Sequence, residues 1–216
     1  DNRPLVKSYG GDLTAMLDEV LNPPFKSTMP VRKITSVNDN LTPGQVITAN
    51  TYVVSNTDLD PSASTDMTYP SAILKLIPWE GTVSIQMSPQ GIIEIATRTS
   101  DWWGTSLEFQ ADVGENLSQF KSGYLHFDIR GDNTISFNIG FQTGRFLNGD
   151  QINSLLPFGK GTDYPLSDQW RRYKLPISLF RNDSEMIDVT GILSLLSQSP
   201  GNKEHIYIKN IYYTQK

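Results

Sequence analysis

The chain has no cysteine and only two histidines in 216 residues. A disulfide framework and a thiolate metal site are therefore excluded, while the compartment stays open, because secreted proteins without cysteine exist. His126 and His205 show no metal-ligand spacing, which argues against a zinc site. No apolar run is long enough to span a bilayer, and no signal peptide is visible. The chain opens at Asp1 without a methionine, as a processed or excised fragment would. Charge is sparse as well: 19% of residues are Asp, Glu, Lys or Arg, and the net charge of −5 argues against a nucleic-acid partner. The densest basic spots, Arg171-Arg172 with Lys174 and Arg32-Lys33, do not lie among aromatics spaced for base stacking.

What is abundant is Ser, Thr, Asn, Gln and Gly, a surface typical of extracellular β proteins that handle neutral polymers. The length suits one large β domain, or one domain with a long N-terminal extension. The expected division is an extension over residues 1–70 and a sandwich domain over 71–216. One helix is expected, from Asp12 as N-cap to Leu21, stopped by Asn22-Pro23-Pro24. Val46–Ala49 and Thr51–Val54 read as short strands, and Asn56 to Pro70 as a loop or linker. From Ser71 onward, strands follow at short spacing: 72–77, 83–87, 91–97, 105–112, 169–177, 192–198 and 205–213. Residues 144–168 show little periodicity and read as one long connection. Many short alternating strands broken by Gly, Asn, Asp and Pro predict an all-β sandwich or barrel.

The most informative stretch is Gly123 to Arg130, followed by Ile135 to Gln142. Leu125, Phe127 and Ile129 share one face, as do Ile135, Phe137, Ile139 and Phe141. Tyr124, His126, Asp128 and Arg130 occupy the other face, with Ser136, Asn138 and Gln142. Gly131-Asp132-Asn133-Thr134 is turn chemistry, so the two runs read as an antiparallel hairpin. An aromatic ring, an imidazole, a carboxylate, a guanidinium and two amides suit sugar hydroxyls, which both donate and accept. The plainer reading is that any outward sheet face is polar, with Asp128 and Arg130 pairing along the strand.

Four segments resemble the β-jelly-roll carbohydrate-binding modules, the galactose-binding-like group that includes families 4, 11 and 22, and the C-terminal module of family 3 exo-β-glucanases. They are Trp103-Gly-Thr-Ser-Leu-Glu-Phe109, Ser122 to Arg130, Asp168 to Phe180, and Ile206 to Tyr213. Their order agrees over residues 100–213, and the resemblance implies a jelly-roll sandwich with a concave glycan-binding face. It implies binding roles for Tyr124, His126, Asp128, Arg130, Asn138 and Gln142, with Arg172 pointing out of the core. Trp102, Trp103, Tyr164 and Phe146 would add loop-borne rings, although one of the Trp102–Trp103 pair belongs in the core. Trp170 matches a core tryptophan of these families and reads as structural, while Trp79 fits either role. Such modules often carry a structural calcium, for which this chain offers no assignable ligands and places Lys209 where relatives have Asp.

The paired acids of jelly-roll glucanases, the lyase signatures and the Gly-x-Ser-x-Gly elbow are all absent. The expectation is a noncatalytic, secreted or cell-surface module that docks a tethered catalytic domain on a neutral β-glucan, laminarin-like or mixed-linkage. The rivals are a structural or interaction domain of the same fold, which would bury both Trp102 and Trp103, and a cryptic glycosidase or lyase. The last would need convergent acids, for which Asp128 with Glu108 or Asp112 are the places to look.

Overall fold

A computed structural model of the chain describes residues 49–55, 66–110, 114–145, 148–180 and 185–216. The expected helix at 12–21, Val46 to Thr48, most of the 56–70 loop, Asp112 and Phe146 lie outside them. In chain order the strands are β1 Thr51–Ser55, β2 Met67–Thr68, β3 Leu74–Pro78, β4 Val83–Met87, β5 Ile93–Thr97 and β6 Trp103–Phe109. There follow β7 Tyr124–Gly131, β8 Ser136–Thr143, β9 Ile152–Gly159, β10 Arg171–Pro176, β11 Val189–Ser197 and β12 His205–Thr214.

They form an all-β sandwich with jelly-roll-like crossing between two sheets. One sheet has seven strands, ordered β10-β7-β12-β1-β2, with β5 and β4 extending from the other half of β12; the second has five, ordered β3-β6-β11-β8-β9. The ten-residue β12 is long enough to pair with β7 along one side and with β5 and then β1 along the other.

The expected β7–β8 hairpin is not formed. β7 lies in the seven-stranded sheet and β8 in the five-stranded one, and the link between them crosses the sandwich. Stacked sheets lie about 10 Å apart, which four extended residues at about 3.3 Å each can span. Gly131 leaves the sheet plane by donating its N–H to the Ser167 carbonyl, not to a β8 partner. The apolar runs of β7 and β8 thus approach one core from opposite sides. Phe127 of β7 and Phe137 of β8 both meet Phe158 of β9, with ring centroids 5.7 and 5.4 Å away.

The stretch 144–168, expected to be one long connection, contains β9. Its inward Ser154, Leu156 and Phe158 are buried, and its Pro157 is tolerated because β9 is an edge strand, where a missing N–H costs no ladder bond. Tyr164, offered as a loop-borne ligand ring, packs instead against this edge, its ring nearly parallel to that of Phe158.

A buried polar tie joins the sheets. Tyr52 of β1 donates its hydroxyl to Glu115 at 2.5 Å, and the Glu115 backbone bridges to Val189 of β11. Burial first, and then the Glu115 carboxylate, push the Tyr52 phenol well above its ordinary pKa, so it stays a donor.

Candidate functional site

Because β7 and β8 belong to different sheets, the polar residues expected to share one surface divide between two. Tyr124, His126, Asp128 and Arg130 face outward from the seven-stranded sheet, and Ser136, Asn138 and Gln142 from the five-stranded sheet.

On the seven-stranded face, the register sets Arg172 opposite Asp128 and Lys174 opposite His126, so both share this surface. From β12 come Tyr207 opposite Arg130, Lys209 opposite Asp128 and Tyr212 opposite His126. Asp128 pairs with Arg172, whose Nε and Nη2 donate at 2.7 and 3.1 Å, and it also accepts from Asn210 Nδ2 at 2.7 Å. Asp128 therefore does not pair with Arg130, and its acceptor capacity goes largely to holding β10, β7 and β12 together. His126 and Tyr212 are stacked at 4.4 Å and buried. Tyr124 is half-buried with Lys174 Nζ 4.1 Å from its ring centroid.

Trp170 corrects the structural expectation: it is 37% exposed. It has the parity of Arg172 and Lys174, opposite to the inward Tyr173 and Leu175, and so falls on the outer face.

The five-stranded face has a different relief. Opposed residues give three rows across the strands. The middle row runs Ile77, Ser106, Ser194, Gly140, Leu155. On one side lie Gly104, Leu196, Asn138 and Pro157, and on the other Lys75, Glu108, Gly191, Gln142 and Asn153. Serines and a glycine thus occupy the middle of the face, where Ser106 and Ser194 are buried at the bottom of a shallow trough. Such a trough crosses five strands, about 19 Å at the usual strand spacing.

Trp79 forms the apolar wall. It follows β3 directly, in a short 3-10 turn, and its ring lies against Gly104, where an added Cβ would meet ring carbon Cε3 at 2.2 Å. Its indole Nε1 donates to Ser106 Oγ at 2.9 Å, and the Ser106 hydroxyl donates to Glu108. The ring is thereby fixed in height by a glycine and in rotation by a serine that a carboxylate holds.

The opposite wall is polar. Gln142 Nε2 donates to Asn153 Oδ1 at 2.9 Å, while Gln142 Oε1 and the neighbouring Ser194 Oγ are buried with no partner. Unmet polar atoms of this kind, closed off from the surface, call for a buried water.

Trp102 is half-buried before β6 with the parity of Gly104 and Ser106, at the end of this face; Trp103 is 1% exposed, against Phe137 in the core. Trp103 therefore offers no surface to a ligand, and the expectation that one of the pair belongs to the core applies to it.

Asp128 and Glu108 point away from opposite sides of the sandwich, so they cannot flank one bond. Among the described residues no group of three His, Asp or Glu side chains gathers as a metal site, and no helix is long and apolar enough to cross a membrane.

The sandwich and its aromatic-bearing sheet faces define a β-jelly-roll carbohydrate-binding module, a noncatalytic class. The chain belongs to the family described as carbohydrate binding domain 30, which it matches over residues 30–215. Families 4, 11 and 22 and the family 3 module, which the four segments resemble, are thus replaced by family 30. Among solved structures, a family 30 carbohydrate-binding module is 18% identical, with a TM-score of 0.53 over 65% of this chain and 91% of that one. The family 30 module of the Clostridium thermocellum cellulosomal cellulase Cel9D-Cel44B is 17% identical, with a TM-score of 0.50 over 78% of this chain and 92% of that one. At such identities these likenesses speak for the fold alone. No curated protein matches the chain.

Sequence reasoning left Trp79 undecided and did not single out Gly104, Ser106 or Ser194. The available signal was parity: Gly104, Ser106 and Glu108 alternate with the buried Trp103, Thr105, Leu107 and Phe109.

Proposed function

We propose that the protein docks a tethered polysaccharide-degrading enzyme, outside the cell, onto a neutral β-glucan of the laminarin-like or mixed-linkage type, through the outer face of the five-stranded sheet. The observation that carries this reading is the Trp79 ring, held against Gly104 and by Ser106 beside a trough of small side chains. An indole fixed in this way presents an apolar plate to the C–H face of a pyranose without losing rotamer entropy on binding. Glu108 and Asn153 across the trough, and Asn138 on the Trp79 side, offer both donors and acceptors for sugar hydroxyls. Equatorial hydroxyls along a neutral chain fit an amide-rich wall better than a strongly charged one.

The task of such a site is to localise. Weak contacts over several sugar units raise the effective concentration of the tethered catalytic domain at its polymer. Affinity electrophoresis against laminarin, mixed-linkage glucan, xylan, agarose and alginate tests the reading, with Trp79→Ala and Tyr124→Ala run beside the wild type. Retardation by a neutral β-glucan that Trp79→Ala abolishes and Tyr124→Ala leaves intact is the expected result. Retardation abolished only by Tyr124→Ala moves the site to the seven-stranded face, and no retardation by any β-glucan overturns the ligand assignment.

A further inference from the structure

The seven-stranded face carries a second constellation that the docking reading leaves unused. Trp170 lies over two cations: Arg130 Cζ is 5.3 Å and Lys209 Nζ 4.9 Å from its ring. Arg130 also sits 4.5 Å from the Tyr207 ring, and Lys174 4.1 Å from the Tyr124 ring. Along β10, β7 and β12 the outward charges are Arg130, Arg172, Lys174 and Lys209 against Asp128 alone, and Asp128 is engaged by Arg172. Glu94, opposite Tyr207 on the neighbouring β5, is held by Gln86, Tyr207 and His205. A chain of net charge −5 thus concentrates cations around aromatic rings on one face.

We propose that this face binds an acidic glycan, a chain bearing uronic acids, with Trp170 as the stacking plate. Three features point to that class of ligand. Trp170 is anchored from the strand side by its cations and is 37% exposed, so a pyranose can stack on it. Arg130 and Lys209 beneath the ring provide the field that a sugar carboxylate seeks. Arg130 is held between two rings, those of Trp170 and Tyr207, and forms no ion pair among the described residues. A neutral glucan would give these cations hydroxyl acceptors but no countercharge, and a bare anion would not use the ring; a uronate pyranose supplies both the face and the charge. This site is separate from the Trp79 trough, because the two faces point away from each other.

The test is calorimetric titration of the full chain with an oligogalacturonate and, separately, with a neutral mixed-linkage gluco-oligosaccharide. The wild type should bind the oligogalacturonate, and raising salt from roughly 0.05 to 0.5 M should weaken that binding several-fold, as exposed charge contacts require. Trp170→Ala and Lys209→Glu should each lower the oligogalacturonate affinity tenfold or more, whereas Trp79→Ala should leave it unchanged. Both altered positions lie on the surface, and an unchanged melting temperature verifies that the variants fold. Failure of the wild type to bind oligogalacturonate, or loss of that binding in Trp79→Ala but not in Trp170→Ala, overturns the proposal. Failure of the neutral ligand alone would count against the trough and leave this inference standing.

Discussion

Replacing Gly104 by alanine adds one methyl group at the point where the structure leaves no room for it. The new Cβ would stand 2.2 Å from Cε3 and 2.9 Å from Cζ3 of Trp79, where ordinary contact begins at 3.4 Å. The atom in the way belongs to a side chain, so the indole rather than the strand must yield, by at least about 1 Å. A displacement of that size lengthens the 2.9 Å bond from Trp79 Nε1 to Ser106 beyond hydrogen-bonding range. The lost bond is worth about 1 kcal/mol, so Gly104→Ala should lower stability by about that much and no more. Binding should suffer more than stability. A plate moved by about 1 Å no longer lies level with the floor, and losing a central aromatic contact typically costs about 2 kcal/mol, or roughly 30-fold in affinity. Calorimetric titration with a β-gluco-oligosaccharide, next to urea unfolding of both proteins, measures the two effects separately. Unchanged affinity in a variant that unfolds at the wild-type midpoint would refute the argument that Gly104 sets the platform.

Tyr52→Phe removes the hydroxyl that donates to buried Glu115 and leaves that oxygen without this partner, so urea unfolding should show a loss of about 1–3 kcal/mol. Asp128→Ala strips Arg172 and Asn210 of a shared acceptor. Because Arg172 stays 42% exposed and rehydrates, the cost should be about 1–2 kcal/mol, with neutral-glucan affinity unchanged. Glu94 has its carboxyl held below the ordinary value of 4.5, chiefly by the Gln86 hydrogen bond, with burial opposing and His205 and Tyr207 assisting. A depressed folded-state value means stabilisation that is complete above 4.5 and lost as pH falls through the lowered value. Glu94→Gln should therefore flatten the acid side of the stability–pH curve, and equal slopes in both proteins would contradict the sign.

The strands themselves were readable because each sheet turns one face to the core, which imposes apolar–polar alternation on the sequences of β5, β6, β7 and β8. Which sheet each strand joins was not readable in the same way. Leu125, Phe127 and Ile129 point to the core from one side and Ile135, Phe137 and Ile139 from the other, yet a hairpin would show the same alternation. Gly131-Asp132-Asn133-Thr134 serves a hairpin turn or a crossing equally well, and this ambiguity merged two faces into one expected site. β9 was hidden for another reason: its outward Leu155 and Pro157 blur the period that Ser154, Leu156 and Phe158 keep. Trp170 was legible from parity alone, since it alternates with Tyr173 and Leu175, but the likeness to a family core tryptophan outweighed that signal. In β12 the inward set passes from Ile206 and Ile208 to Ile211 and Tyr213. The shift occurs at Asn210, whose φ of 52° marks a bulge and whose amide ties back to Asp128. The aspartate of the β7 motif and the asparagine of the terminal motif are thus two ends of one structural contact.

The most direct test of the account is to map a bound β-gluco-oligosaccharide by NMR chemical-shift perturbation on the uniformly labelled chain. The largest shifts should fall on the Trp79 indole N–H, Gly104, Ser106, Glu108 and Asn138, with Tyr124, Arg130 and Trp170 unmoved. Shifts centred on Tyr124, Arg130 and Trp170, with the Trp79 indole silent, would contradict it.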